Sequence, residues 1–261
     1  MNAFTGRVVL LTGAGGGLGR EFARQLLAAG ADLILSSHNP HRLKAAAEFA
    51  AQSPNRFGRI RSLLPADLSD PASCDYLAEQ VLRIAPDLDL VIHNAGVGLY
   101  GPLEALPVEA AERLLRINLH APIRLTARLL PALRNRPRSQ IVFISSILGW
   151  AALPNISVYS ATKFALRGFA DGLAADGYCV STVYPFFTQT DILESPQYGT
   201  TTQRRVPGWM IDQPRPVVKA SLAGIAARRH HIYPSWKARL YAVTAVVAPG
   251  VLPPFSRLVA G

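Results

Sequence analysis

Cysteine is almost absent from this chain: 261 residues contain two, Cys74 and Cys179. Neither is spaced from other donors like a metal ligand, so a disulfide framework is excluded and no metal site is expected. Both are read as buried free thiols in a reducing compartment. Long uninterrupted apolar runs are lacking too. The uncharged stretch 240–256, LYAVTAVVAPGVLPPFS, is broken by Pro249, Pro253 and Pro254, and it falls short of the roughly 20 residues a spanning helix needs. The first strand-like run begins by residue 7, which predicts no signal peptide ahead of it and a cytoplasmic protein. Charged residues make up only 17% of the chain against 49% hydrophobic, too apolar for a disordered class and enough for one sizeable core. Repeats, low-complexity tracts and linker-like boundaries are missing, so residues 1–261 are read as a single domain.

Acidic residues are scarce at one end. Of the formal net charge of +10, residues 200–261 hold nine Lys and Arg against one acid, and residues 1–199 are nearly balanced. A basic tail of this kind meets anionic lipid, an acidic protein or an anionic substrate. Nucleic acid is set aside, because the aromatic interleaving of a stacking surface is missing. Residues 235–261 are therefore expected to form a basic and apolar C-terminal extension. It either packs on the core or a subunit partner, or lies on a membrane surface.

What the chain does contain is alternation. Strand-like runs at VVLL, LILS, IRSLL, DLVIH, QIVFIS and YCVSTVYP alternate with helix-like stretches near 17–30, 41–52, 71–85, 104–134 and 157–176, and HHIYP near 230 reads as a last strand. This pattern predicts an α/β fold, a doubly wound parallel sheet of about seven strands with helices on both faces. Directly after the first strand comes Gly13-Ala14-Gly15-Gly16-Gly17-Leu18-Gly19, followed by the helical REFARQLLAAG. Glycines at that place allow the tight turn and bring backbone N–H groups close to a pyrophosphate at the positive end of a helix.

Tyr159 and Lys163 stand four residues apart in SVYSATKFALRG, a spacing that puts them on one face of a helix. A tyrosine is a poor base at neutral pH unless a neighbouring cation stabilises its phenolate, and Lys163 is placed to do so. Ser146 ends the strand IVFISS, at the carboxyl edge where open α/β sheets hold their ligands.

In order and spacing, TGAGGGLG, Asn94-Ala95-Gly96, Ser145-Ser146 and Tyr159-x-x-x-Lys163 resemble the short-chain dehydrogenase/reductase family in its single-domain form, over about residues 5–195. The resemblance implies an NAD(P)-dependent oxidoreductase interconverting a secondary alcohol and a ketone. It implies a tetrad of Asn118, Ser146, Tyr159 and Lys163, with Asn118 holding a water that links the lysine to solvent. It also implies cofactor contacts from Gly13, Gly15, Gly16, Gly17, Leu18 and Gly19, from Asp67 and Leu68 at the adenine, and from Asn94, Ala95 and Gly96 near the ribose. At the nicotinamide end it implies Tyr159, Lys163, Pro185, Thr188 and Thr190. The family usually has Pro-Gly where this chain has Pro185-Phe186, which puts a bulky ring near the nicotinamide.

At the end of the second strand Ser37 replaces the aspartate that would hold the free 2′-hydroxyl of NAD. With His38 and Arg42 in reach of a phosphate, NADP is favoured over NAD. Residues 190–215 are expected to form a substrate lid, and Trp150, Leu153, Phe186, Leu193 and Trp209 an apolar lining suited to a small lipophilic substrate of steroid-, retinoid- or acyl-like character. A carrier-bound 3-oxoacyl reductase and a non-catalytic dinucleotide-binding scaffold are the alternatives. A homo-oligomer is implied by the resemblance.

Overall fold

The computed structural model describes residues 3–53, 57–134, 136–199 and 206–251. Seven strands form one parallel sheet: β1 (Val8–Thr12), β2 (Asp32–Ser37), β3 (Ile60–Pro65), β4 (Leu90–His93), β5 (Gln140–Ile144), β6 (Val180–Val183) and β7 (His231–Ile232), in the spatial order β3-β2-β1-β4-β5-β6-β7. The apolar runs of β1, β4, β5 and β6 are buried throughout, because helices cover both faces of the sheet.

On one face α1 (Gly17–Ala28) packs against α2 (Pro40–Ala51) and α7 (Pro214–Ala226), around Phe22, Leu26, Leu35 and Ile225. On the other, α3 (Pro71–Ile84), α5 (Ala121–Arg134) and α6 (Ser157–Ala175) enclose Leu77, Leu125, Phe143 and Leu166. Each fully buried Leu, Ile or Phe of these layers contributes about 1.5–3 kcal/mol relative to exposure. The strand order reverses between β1 and β4, so the crevice beyond their carboxyl ends is where such a sheet takes a ligand.

Helix boundaries follow local chemistry. Asn39 caps α2 by accepting from the Arg42 N–H, and Asp70 caps α3 by accepting from the N–H groups of Ala72 and Ser73; each helix then opens on a proline. The single helix expected over 104–134 is instead segmented. A 3₁₀ turn at Leu103–Ala105 precedes α4 (Val108–Leu115), and a five-residue π-helical turn, Arg116–His120, separates α4 from α5. Such turns are rare and concentrate at functional sites; this one carries Asn118.

Helix α7 was not anticipated. Its Pro214 and Pro216 interrupt the apolar pattern, yet Val217, Val218, Leu222 and Ile225 form a buried face. The C-terminal extension begins as α8 (Trp236–Val247), capped by Ser235 and docked through Ala238, Tyr241 and Ala242. Residues 252–261 of that extension and 200–205 of the expected lid lie outside the described residues.

Candidate active site

The carboxyl ends of β1, β2, β4, β5 and β6 open into one cavity of about 460 Å³. All the glycines expected to hold a cofactor line it, together with Leu18, Ser37, His38, Arg42, Asp67, Leu68, Asn94, Ala95, Gly96, Pro185, Thr188 and Thr190. The glycine loop has its composition for steric reasons. Gly13 sits at φ +66°, and a Cβ there would meet the Ala95 backbone at 2.6 Å; a Cβ on Gly19 would lie 2.1 Å from the Gly13 carbonyl oxygen. Only glycine lets α1 begin this close to β1, leaving its first N–H groups facing the cavity as an anion cradle. That cradle fits the pyrophosphate of a dinucleotide.

Asn94 lines the cavity and is also bonded to the backbone around it. Its side-chain amide donates to the carbonyl oxygens of Thr12 (3.1 Å) and Gly13 (3.0 Å), while the Thr12 hydroxyl oxygen accepts from the N–H groups of Asn94 and Ala95. Asn94 thus staples the end of β4 to the glycine loop and positions the cradle.

At the other end, α6 presents Tyr159 and Lys163 on its inner face, 6% and 3% exposed. The Tyr159 hydroxyl hydrogen-bonds with Ser146. The Ser146 oxygen also accepts from the Leu148 N–H, which fixes the turn after β5. Ser145 turns away and donates to the Lys163 carbonyl at 3.2 Å, pinning α6 to that turn. The Lys163 ammonium donates to the Ile144 carbonyl at 3.0 Å and stands 5.4 Å from the centre of the Tyr159 ring.

Asn118 does not line the cavity. Its amide brackets Val97, accepting from the Val97 N–H and donating to the Val97 carbonyl, both at 2.9 Å. A methyl on Gly96 would lie 3.4 Å from Asn118 Oδ1 and 3.7 Å from Lys163 Nζ. Gly96 therefore marks the point on which both groups converge.

Burial pushes the Tyr159 phenol well above its ordinary value; nearby Tyr100 adds to the rise and the hydrogen bond with Ser146 opposes it. Burial also pushes the Lys163 ammonium down to about 8. The expectation that Lys163 draws the phenol down therefore does not hold for the protein alone. Desolvation disfavours the charged form of both groups. Tyr159 is a neutral phenol at physiological pH, the state of a proton donor.

The substrate residues divide. Phe186 and Leu193 line the cavity, but Trp150, Leu153 and Trp209 do not. Trp150 points to the edge of the sheet, where it meets Tyr184, His231 and Tyr233 and lies under the Arg167 guanidinium. Leu153 is buried in a cluster with Tyr159 and Phe186, and Trp209 is 72% exposed. The apolar lining comes instead from Leu99, Leu114, Ile117, Leu148, Ile156 and Phe187. Tyr100 closes one side, its hydroxyl donating to the Ile192 carbonyl.

The expected lid is tied at three described points. Pro196–Tyr198 pairs with Tyr100, Asp191 forms an ion pair with Arg42 across the mouth of the groove, and Asp212 bonds to Phe187 and to Lys237 of α8.

The family model described as short chain dehydrogenase matches residues 7–198. Dehydrogenase/reductase SDR family member 7B of Rattus norvegicus is 36% identical over 171 residues, which are 65% of this chain and 53% of that protein. This chain thus spans little more than half the length of that curated relative. A short-chain dehydrogenase from Sphingobium yanoikuyae, solved in complex with NADPH, superposes with a TM-score of 0.76 at 28% identity, covering 94% of this chain and 95% of that one. A short chain dehydrogenase/reductase from Burkholderia phymatum, solved with NAD, superposes with a TM-score of 0.80 at 21% identity over 97% of both chains, a likeness of fold.

Proposed function

This chain belongs to the short-chain dehydrogenase family, and from that membership we propose that it is an NAD(P)-dependent oxidoreductase interconverting a secondary alcohol and a ketone. The observation that carries the proposal is the placement of Tyr159, Ser146 and Lys163 at one end of a cavity whose other end is the glycine cradle. A bound nicotinamide supplies or accepts the hydride. In reduction the Ser146 hydroxyl donates a hydrogen bond to the carbonyl oxygen, and the Tyr159 phenol transfers its proton to that oxygen as it becomes an alkoxide. Lys163, with its pKa near 8, returns a proton to Tyr159 at neutral pH. Asn118, beside it through Gly96, orients the water that refills the lysine. Oxidation runs these steps backwards.

NADP is the preferred cofactor in this reading. Ser37 presents no carboxylate to repel a 2′-phosphate, and His38 and Arg42 line that corner of the cavity. Arg42 is held by Asp191, but that pair is half exposed on both sides. Exposed pairs contribute only about 0–1 kcal/mol, so a phosphate dianion can take the guanidinium. The apolar half of the cavity suits a lipophilic ketone or alcohol, since a sugar would need several convergent polar groups. Absorbance of the reduced nicotinamide, followed against a panel of hydrophobic alcohols and ketones with both cofactors, tests the proposal. Turnover of lipophilic ketones with NADPH is the expected result; inactivity across the panel with both cofactors contradicts it.

In this reading the protein makes peripheral membrane contact through α8. No helix among the described residues is long and apolar enough to cross a membrane. Yet Trp236, Leu240, Val243 and Val247 form an exposed apolar stripe at helical spacing along α8, beside exposed Arg239 and Trp209, the make-up of a helix lying on anionic headgroups. Sedimentation with anionic vesicles tests this contact. The Trp236→Ser/Leu240→Ser double variant should stay in the supernatant while the parent pellets.

A further inference from the structure

Outside the cavity, one cluster of donor groups stands apart. His230 and His231, at the start of β7, face Asp171 on α6, and one donor atom from each lies within 4.8 Å of the other two. The His230 ring places Nδ1 3.1 Å from the Val180 carbonyl oxygen and Nε2 2.9 Å from Asp171 Oδ1. A carbonyl can only accept, so Nδ1 carries the hydrogen in that bond, and Nε2 is turned to a carboxylate that also only accepts. The His231 ring places Nδ1 3.0 Å from the Tyr184 hydroxyl and Nε2 3.9 Å from the same Asp171 oxygen. Both rings are thus held from behind by outer partners at Nδ1, and both Nε2 atoms converge on one carboxylate oxygen. That is how metal-binding histidines are oriented.

We propose that Asp171, His230 and His231 form a site for one divalent transition-metal ion of the zinc class, clamping α6 to the edge strand β7. The two gaps to Asp171 need little adjustment. A tetrahedral ion held at 2.0–2.1 Å separates its donors by about 3.3–3.5 Å. The His230–Asp171 gap of 2.9 Å has to widen and the His231–Asp171 gap of 3.9 Å has to narrow, each by about half an ångström. The three side chains are 40%, 35% and 32% exposed in the order Asp171, His230, His231, so an ion can enter and keep a water as its fourth ligand.

Two imidazoles with one carboxylate favour zinc, cobalt, nickel or copper over magnesium or calcium. The nearest opposing cation is Arg167, 3.8 Å away on the other carboxylate oxygen of Asp171. Its guanidinium is committed to the Gly149 carbonyl and the face of Trp150, which leaves Oδ1 to the ion. None of the three donors lines the catalytic cavity. The ion therefore braces the helix that carries Tyr159 and Lys163 and takes no part in the reaction.

The test uses untagged full-length protein dialysed against chelator. Titration with Co²⁺ should give visible d–d absorption saturating at one equivalent and displaced by Zn²⁺. Zn²⁺ at about a hundredfold its dissociation constant should raise Tm by about 5 °C. His231→Gln and Asp171→Asn should each weaken Co²⁺ binding at least tenfold. The wild-type protein supplies a readout that needs no variant: the Trp150 ring lies 5.8 Å from His231, so Cu²⁺ should quench tryptophan emission to a plateau at one equivalent. Failure of Co²⁺ to saturate by 100 µM, binding unchanged in both variants, or Cu²⁺ quenching with no plateau at one equivalent would each overturn the site.

Discussion

Replacing Lys163 by methionine keeps most of the side-chain volume and removes the charge, so it isolates what burying the ammonium costs. In the folded protein burial lowers the lysine from 10.5 to about 8. The unfolded chain therefore binds more protons than the folded one between those two values, and stability rises with pH across that window. From pH 8 to pH 9.5 the parent should gain about 1.5 kcal/mol from this group, out of about 3 kcal/mol for the full window. Tyr159 acts in the opposite sense but only higher, since a raised phenol costs stability above pH 10, where the unfolded tyrosine ionises. The assay is denaturant unfolding of the parent and Lys163→Met at pH 8 and pH 9.5, at equal protein concentration. The difference between the two proteins should change by about 1.5 kcal/mol between those pH values, with Lys163→Met flatter. Parallel behaviour within about 0.5 kcal/mol, the usual effect of a surface substitution, would show that Lys163 is not a desolvated ammonium and would remove it as a proton source near neutral pH.

Gly19→Ala places a Cβ 2.1 Å from the Gly13 carbonyl; NADPH binding, read by nicotinamide fluorescence, should fall at least about tenfold, and unchanged affinity would contradict the cradle. Ser37→Asp should lower the ratio of kcat/KM for NADPH over NADH by about tenfold or more, equivalent to about 1.4 kcal/mol. Phe186 is 9% exposed and meets Phe187 and Tyr241 edge-on. Phe186→Ala should cost about 3 kcal/mol in chemical denaturation and admit bulkier ketones at lower KM.

Local chemistry was the most legible part of this chain. The glycine loop and Tyr159-x-x-x-Lys163 announce themselves because each is built from near neighbours, and the alternation of apolar runs was sufficient to predict the parallel sheet. Tertiary choices were not legible. Trp150 follows Ser146 closely in the chain, but the turn after β5 swings it toward Tyr184 and His231. Asn94 lies at the cavity as expected while its amide is used on the backbone of β1. Asn118 stood in what looked like one long helix, and only the π-helical turn aims it at Val97 and Gly96. Asp171 and His230 are 59 residues apart, so no spacing rule could have joined them. They meet because α6 lies beside the last strand.

In the proposed mechanism Tyr159 passes the proton. Removing its hydroxyl leaves the cradle untouched, so Tyr159→Phe should bind NADPH within about twofold of the parent while kcat for ketone reduction falls by about 10²–10⁴. A Tyr159→Phe enzyme that binds the cofactor and keeps most of its kcat would show that Tyr159 is not the proton donor.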